Sequence, residues 1–200
     1  MNTLIQLPIS PIVVPLPYGN KNGFTQSIFP WHRKCDTNQA KGDAGVAIVL
    51  ACMQAAGHLP EKINGGGDIL LDDCRHEVKF LCEAIKFNKN GSITREWRFN
   101  GVRPDQPDWQ NLYVVVQQGD HASNEVLVLE FDRESVMKMI EAKVITRYGQ
   151  QQKGEDGSMT NVIEFRPLHN SRRNEIADQL LPYASSVVTI PQDLLHIIFV

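Results

Sequence analysis

The segment from Gly65 to Phe80, GGGDILLDDCRHEVKF, limits the possible folds more than any other stretch of the chain. A glycine run gives way to Asp68-Ile69-Leu70-Leu71, a short apolar strand. Asp72-Asp73 is a turn signal, and Arg75 to Phe80 resumes an extended pattern. This is the pattern of a β-hairpin. With Leu71 and Cys74 flanking a two-residue turn, antiparallel pairing sets opposite one another residues whose numbers sum to 145, which places Asp68 across from Glu77. Side chains alternate between faces, so Lys79 shares the face of Glu77 and Val78 points the other way. A four-residue loop keeps this pairing, whereas a three-residue loop puts Asp68 opposite Val78.

Two carboxylates facing each other across a ladder repel. A divalent cation offsets that repulsion, and hard oxygen donors at this spacing suit Mg²⁺, with Mn²⁺ able to substitute. Lys79, next on the same face, is placed to orient or help deprotonate an attacking water and to stabilise charge growing on a phosphate. The competing reading is a solvated hairpin face on which Asp, Glu and Lys are incidental.

Elsewhere the chain alternates between helical and extended patterns. Residues 1–35, rich in proline and aromatics, read as an irregular arm, and residues 36–200 as one mixed α/β domain. Asn38 to Gly57 is expected to be helical, with Val46, Val49, Leu50 and Met53 at three- and four-residue steps. Leu81 to Lys89 is ambiguous between helix and strand. Asn90-Gly91 is a hairpin signal, and Ile93, Arg95, Trp97 and Phe99 alternate as in one strand. Arg103 to Asp108 is a proline-containing loop; Leu112 to Gln117 and Glu125 to Phe131 read as buried strands. Glu134 to Lys143 is an amphipathic helix with Val136, Met139 and Ile140 on one side. Gln150 to Ser158 reads as an exposed loop, Asn161 to Phe165 as a strand and Arg172 to Leu181 as a helix.

Composition narrows the chemistry. Hydrophobic residues make up 42% and charged residues 22%, as in a globular protein, and the net charge of -3 excludes a uniformly basic coat for DNA. It leaves room for a local basic groove. The four cysteines form no CxxC pair and the six histidines lack zinc-site spacing, which argues against a zinc-centred chemistry. Leu4 to Leu16 is apolar but broken by Pro8, Pro11 and Pro15 with no basic segment before it, so no secretory leader is expected. No apolar run approaches the ~20 residues of a membrane span. A reduced, cytoplasmic protein with free thiols is the simplest expectation.

With an acidic residue opening one strand after a glycine break, Glu77-Val78-Lys79 on the next, and a helix preceding both, the sequence resembles the PD-(D/E)xK nuclease superfamily over roughly residues 40–80. Gly67 stands where the family's name has proline. The resemblance implies a mixed central sheet flanked by helices, a restriction-endonuclease-like core, with Asp68, Glu77 and Lys79 as catalytic residues. It also implies metal ligation by Asp68, Glu77 and the backbone carbonyl of Val78. Asp43, near the start of the preceding helix, stands where the family often carries a further acid; a helix-capping role is the alternative. The implied activity is Mg²⁺-dependent hydrolysis of DNA phosphodiesters. A stand-alone chain of this size most resembles a type II restriction endonuclease acting as a homodimer, without organic cofactor or membrane. Rivals are a structure-specific repair or recombination nuclease, a binding module of the same fold without turnover, and an unrelated α/β protein in which the three residues coincide by chance.

Other residues carry weaker expectations. Arg33 and Lys34, beside Trp31 and His32, combine basic and aromatic groups suited to nucleic acid, or to anchoring the arm. Arg172 and Arg173 could meet phosphates at a helix start, or lie on a solvated face. Gln117 and Gln118 end a strand, where they could read a base edge. His76 is expected to face away from the acidic pair, and Cys74 and Cys82 to be packed thiols.

Overall fold

A computed structural model of the protein describes residues 38–64, 68–81, 83–87, 89–97, 99–102, 109–118, 125–153, 159–165 and 173–190. The expectations for the arm, for Arg33 and Lys34, for the loop at 103–108 and for Arg172 fall outside these residues.

The chain enters through helix α1 (Asn38–Ala55), followed by the short strand β1 (Glu61–Lys62) and the hairpin of β2 (Ile69–Leu71) and β3 (Cys74–Leu81). The hairpin register is Ile69↔His76, Leu70↔Arg75 and Leu71↔Cys74, the two-residue turn of the sequence argument. Asp72 and Asp73 both take positive φ, 50° and 62°, as a type I′ turn requires; short polar side chains tolerate that region better than most.

Strands β4 (Glu83–Phe87) and β5 (Ile93–Trp97) form a two-stranded ribbon, and β6 (Phe99–Val102) belongs to a different sheet. The alternation from Ile93 to Phe99 is therefore two strands rather than one, and the ambiguous stretch after Leu81 contains a strand. The buried strands β7 (Asn111–Gln118) and β8 (Glu125–Asp132) follow, then α2 (Arg133–Glu141), β9 (Ile145–Lys153), β10 (Met159–Phe165), α3 (Arg173–Leu180), a 3₁₀ turn at Leu181–Tyr183, and β11 (Ser186–Ile190). Asp132 caps α2, its carboxylate accepting from the Ser135 amide at 2.7 Å. The expected loop at Gln150 begins instead as strand: Gln151 and Gln152 pair with Asn161 and Thr160. Polar residues are held there by ladder hydrogen bonds, which leave no apolar alternation to read.

The main sheet has six strands in the order β1-β2-β3-β7-β8-β11. All neighbours are antiparallel except β3 and β7, which run parallel with Glu77 beside Leu112 and Lys79 beside Val114. A parallel pair needs a long crossover, commonly a helix; here the connection carries the β4–β5 ribbon and β6. The molecule is thus a mixed α/β fold.

The sheet separates two cores. On one face α1 packs its Ala44, Ala47, Ile48 and Ala51 with Ile69, Val78, Val115, Val128 and Ile190. On the other, Leu81, Leu112, Val114, Leu129 and Phe131 pack with Val136 and Met139 of α2 and with Ala177 and Leu180 of α3. Gly45 lets α1 lie close on β3, since a Cβ there would sit 3.1 Å from the Cβ of Phe80 and 3.6 Å from Cγ1 of Val78. The helix is braced against the residues that alternate with Glu77 and Lys79.

Candidate active site

The site begins where β2 stops pairing regularly. Ile69 and Leu71 belong to the core beneath α1, so strand alternation assigns Leu70 to the opposite face. At Asp68 the backbone leaves the register. Its N–H donates to the His76 carbonyl at 2.8 Å, and its carbonyl accepts from the Ile63 N–H at 3.1 Å. Its carboxylate accepts from the Val78 N–H at 2.8 Å. Continuing the hairpin register would assign that N–H to residue 67. The Asp68 side chain thus serves as an acceptor at the point where the strand peels away, and its charge rests on the backbone midway between Glu77 and Lys79.

Glu77 and Lys79 form an ion pair, Nζ to Oε1. Separated by two positions on one strand they share a face, the face of Leu112 and Val114. They are recessed, with side chains only 15% and 21% exposed. Such a pair is screened less than a surface pair, and removing one partner leaves a poorly solvated charge. Val78 is buried towards α1. Its N–H and C=O leave the strand on the same side, so its carbonyl is directed towards the Asp68 end of β2.

Asp43 lies one turn and more inside α1, not at its start. The capping alternative does not hold, because an N-cap sits outside the helical residues. Its Oδ1 instead accepts from Lys62 Nζ at 2.6 Å and from Gln39 Nε2 at 3.3 Å, tying the helix to β1. Lys62 was not legible as a partner because two exposed residues, Glu61 and Lys62, give no strand pattern. Arg173 opens α3.

His76 is buried on the α1 side, edge-on to Tyr113 with ring centroids 5.6 Å apart. Its Nδ1 is buried without a hydrogen-bond partner among the described residues. Burial holds its pKa below the ordinary histidine value, while the charge of Glu130 pulls the other way. Glu130 accepts from the Tyr113 hydroxyl at 3.0 Å and from Asn111 Nδ2 at 2.5 Å. Burial and Glu130 push the Tyr113 hydroxyl above the ordinary phenol range, which keeps it a neutral donor. Three strands contribute to this polar cluster, so no spacing in the sequence announces it. Cys74 is half-buried, and burial pushes the Cys52 thiol up to about 12, an unreactive thiol at neutral pH.

Among the described residues no three His, Cys, Asp or Glu side chains converge as a metal cage. The donors that Asp68, Glu77 and Val78 would bring are two carboxylates and a carbonyl. That set fits Mg²⁺, which is commonly held through one or two carboxylates and keeps several waters. Among the described residues no helix is long and apolar enough to cross a membrane. No family model, curated protein or solved structure matches the chain.

Proposed function

We propose that the chain is a metal-dependent nuclease of the PD-(D/E)xK type that hydrolyses DNA phosphodiesters. The observation that carries this reading is the Asp68 carboxylate bonded to the Val78 amide, between Glu77 and Lys79 on a strand rigidly backed by α1. Asp68, Glu77 and the Val78 carbonyl would hold Mg²⁺. Bound there, Mg²⁺ supplies Lewis-acid polarisation of the phosphate and a more acidic water. Glu77 holds the Lys79 ammonium in place, and Lys79 in turn donates to a phosphate oxygen or to the attacking water. The reading extends, by the same resemblance, to a cytoplasmic type II restriction endonuclease acting as a homodimer.

A second reading, a nucleic-acid-binding module without turnover, draws on the Glu77–Lys79 pair, which offsets one of the two acidic charges without any metal. Phage and plasmid DNA incubated with Mg²⁺ and with EDTA, alongside calorimetric titration of Mn²⁺ into the DNA-free protein, separate the two. Metal-dependent cutting with Mn²⁺ binding supports the nuclease; DNA binding with neither cutting nor Mn²⁺ binding supports the module. Discrete plasmid fragments mark a sequence-reading enzyme, and cutting confined to branched or single-stranded DNA marks a structure-specific one.

A further inference from the structure

The face of the main sheet beneath α1 carries Val78, Val115, Val128 and Ile190 in its core. One row of that face is polar. His76 on β3 lies beside Asn111 on β7, and Tyr113, two residues further on, lies opposite Glu130 on β8. Alternation from Val78, Val115 and Val128 puts all four side chains on the α1 side. The Asn111 amide and the Tyr113 hydroxyl both donate to Oε1 of Glu130, at 2.5 Å and 3.0 Å. Both donors stand on β7, so the carboxylate is drawn across β7 towards β3. There the Tyr113 ring meets His76 edge-on, with centroids 5.6 Å apart. Two groups in this row lack what burial calls for. His76 is only 5% exposed, and its Nδ1 has no partner among the described residues. Glu130 is half-buried and, among the described residues, forms no ion pair. A buried nitrogen left unsatisfied and a recessed carboxylate left uncompensated each cost stability, and such an orphan group points to a bound water or ion.

We infer that His76 and Glu130 hold a first-row divalent transition-metal ion of the Zn²⁺ class, completed by water, which clamps β3 to β8 across β7. A water donating to Nδ1 satisfies the imidazole and leaves the carboxylate charge unmatched; a cation answers both. Imidazole nitrogen with carboxylate oxygen is a donor pair suited to Zn²⁺, Ni²⁺ and Co²⁺. The imidazole binds through Nδ1 with its proton on Nε2. Asn111, Tyr113 and Glu130 are only half-buried, which opens the row to solution. The ligands come from two strands that are not neighbours in the sheet, an arrangement that no His or Cys spacing along the chain discloses. The ion sits across the sheet from Glu77 and Lys79, and its assignment does not depend on the nuclease reading.

The test titrates Zn²⁺ calorimetrically into the full chain, wild type and Glu77→Gln, and records melting temperatures with and without Zn²⁺. Glu77→Gln serves as the parent for further changes, because it weakens any site on the opposite face. The parent is expected to bind a single Zn²⁺ per chain and to melt later when it is bound. Glu130→Gln keeps an oxygen for Tyr113 and Asn111 and should lose affinity by about tenfold or more. His76→Phe should abolish binding. Because it also removes the orphan nitrogen, its metal-free melting temperature should equal or exceed the parent's. Loss of the Zn²⁺ response without loss of metal-free stability is the mark of a ligand. Equal Zn²⁺ affinity in the parent and both variants overturns the assignment. So does a parent that binds no Zn²⁺ while the wild type binds it, which places the ion at Asp68 and Glu77 instead. Should either variant melt early, Co²⁺ is added to the parent and its proton NMR spectrum recorded. A contact-shifted imidazole N–H that is absent without Co²⁺ and vanishes on adding Zn²⁺ supports the site, and its absence overturns it.

Discussion

The β2–β3 and β4–β5 hairpins follow one another in the chain, yet they differ in almost everything that surrounds them. The first lies between β1 and β7 in a six-stranded sheet, with α1 pressed onto Val78 and Phe80. A one-residue slip there would drive Glu77 and Lys79 beneath α1 and Val78 out, so burial fixes the register. The second pairs only with itself among the described residues. A site that must hold two carboxylates and an amine to a fraction of an ångström belongs on the first kind of hairpin.

The largest expected effect tests the first half of that contrast. On the nuclease reading, Glu77→Gln removes a proposed metal ligand and should cut turnover by at least about a hundredfold. Its stability without metal should change by no more than about 1 kcal/mol, because the amide oxygen introduced at position 77 can still accept from the Lys79 ammonium. Lys79→Ala should also stop turnover while leaving Mn²⁺ binding intact, but with the opposite thermal signature. It leaves two carboxylates uncompensated, so the metal-free protein should melt earlier, and Mn²⁺ should raise the melting temperature more than in the wild type. Melting and cleavage falling together in Glu77→Gln, with no extra metal response in Lys79→Ala, would mean a purely structural ion pair.

Hydrogen exchange compares the hairpins directly. Amides of β3 such as Val78, bonded on a buried strand, should be protected at least about a hundredfold more than amides of β4 and β5. Equal protection would break the contrast. The brace itself is tested by Gly45→Val. The Phe80 Cβ is fixed to the strand backbone and cannot rotate away from a new side chain. We expect a loss of about 1–3 kcal/mol from overpacking, read as an earlier urea midpoint, despite valine's better helix propensity than glycine's.

What the sequence could and could not disclose follows from the same contrast. The β2–β3 register was readable because Asp72-Asp73 suits a two-residue turn and because Ile69, Leu71 and Val78 had to be buried. α1 was readable because Val46, Val49, Leu50 and Met53 recur at helical steps over about two turns. The break at Asp68 was not readable: it depends on where β2 leaves β3, which pattern alone does not specify. Neither was β1, whose two residues are exposed, nor the outer part of β9, where Gln151 and Gln152 are held by pairing rather than burial. The restriction-endonuclease-like arrangement and the metal remain inferences from residue types and their order.

Asp68 allows a finer test, because its carboxylate has two separable roles. Asp68→Asn keeps an oxygen able to accept from the Val78 N–H while removing the charge; Asp68→Ala removes both. Stability should therefore hold in the Asn variant and fall by about 1–3 kcal/mol in the Ala variant, the cost of a part-buried donor left without its acceptor. Both should lose Mn²⁺ affinity, measured by calorimetry. An Asn variant that retains full Mn²⁺ affinity would remove Asp68 from the ligand set, whatever its effect on folding.

The smallest expected effect lies at the edge of the first hairpin and decides between two roles for Asp43. The carboxylate is bonded to Lys62, whose side chain is 49% exposed, and that geometry is a clasp between α1 and β1. A solvent-screened pair of this kind contributes up to about 1 kcal/mol. In Asp43→Asn the Lys62 ammonium keeps an oxygen acceptor and loses only the charge, so the melting temperature should drop slightly and cleavage should stay within about twofold of wild type. Lys62→Met should reproduce the same small loss, and the double variant should be no worse than either single one if the two act only through each other. A metal ligand behaves differently. Cleavage would then fall more than about tenfold in Asp43→Asn at unchanged melting temperature, and Lys62→Met would leave cleavage intact or raise it by freeing the carboxylate. Melting curves and initial rates on the three variants distinguish a clasp from a third ligand.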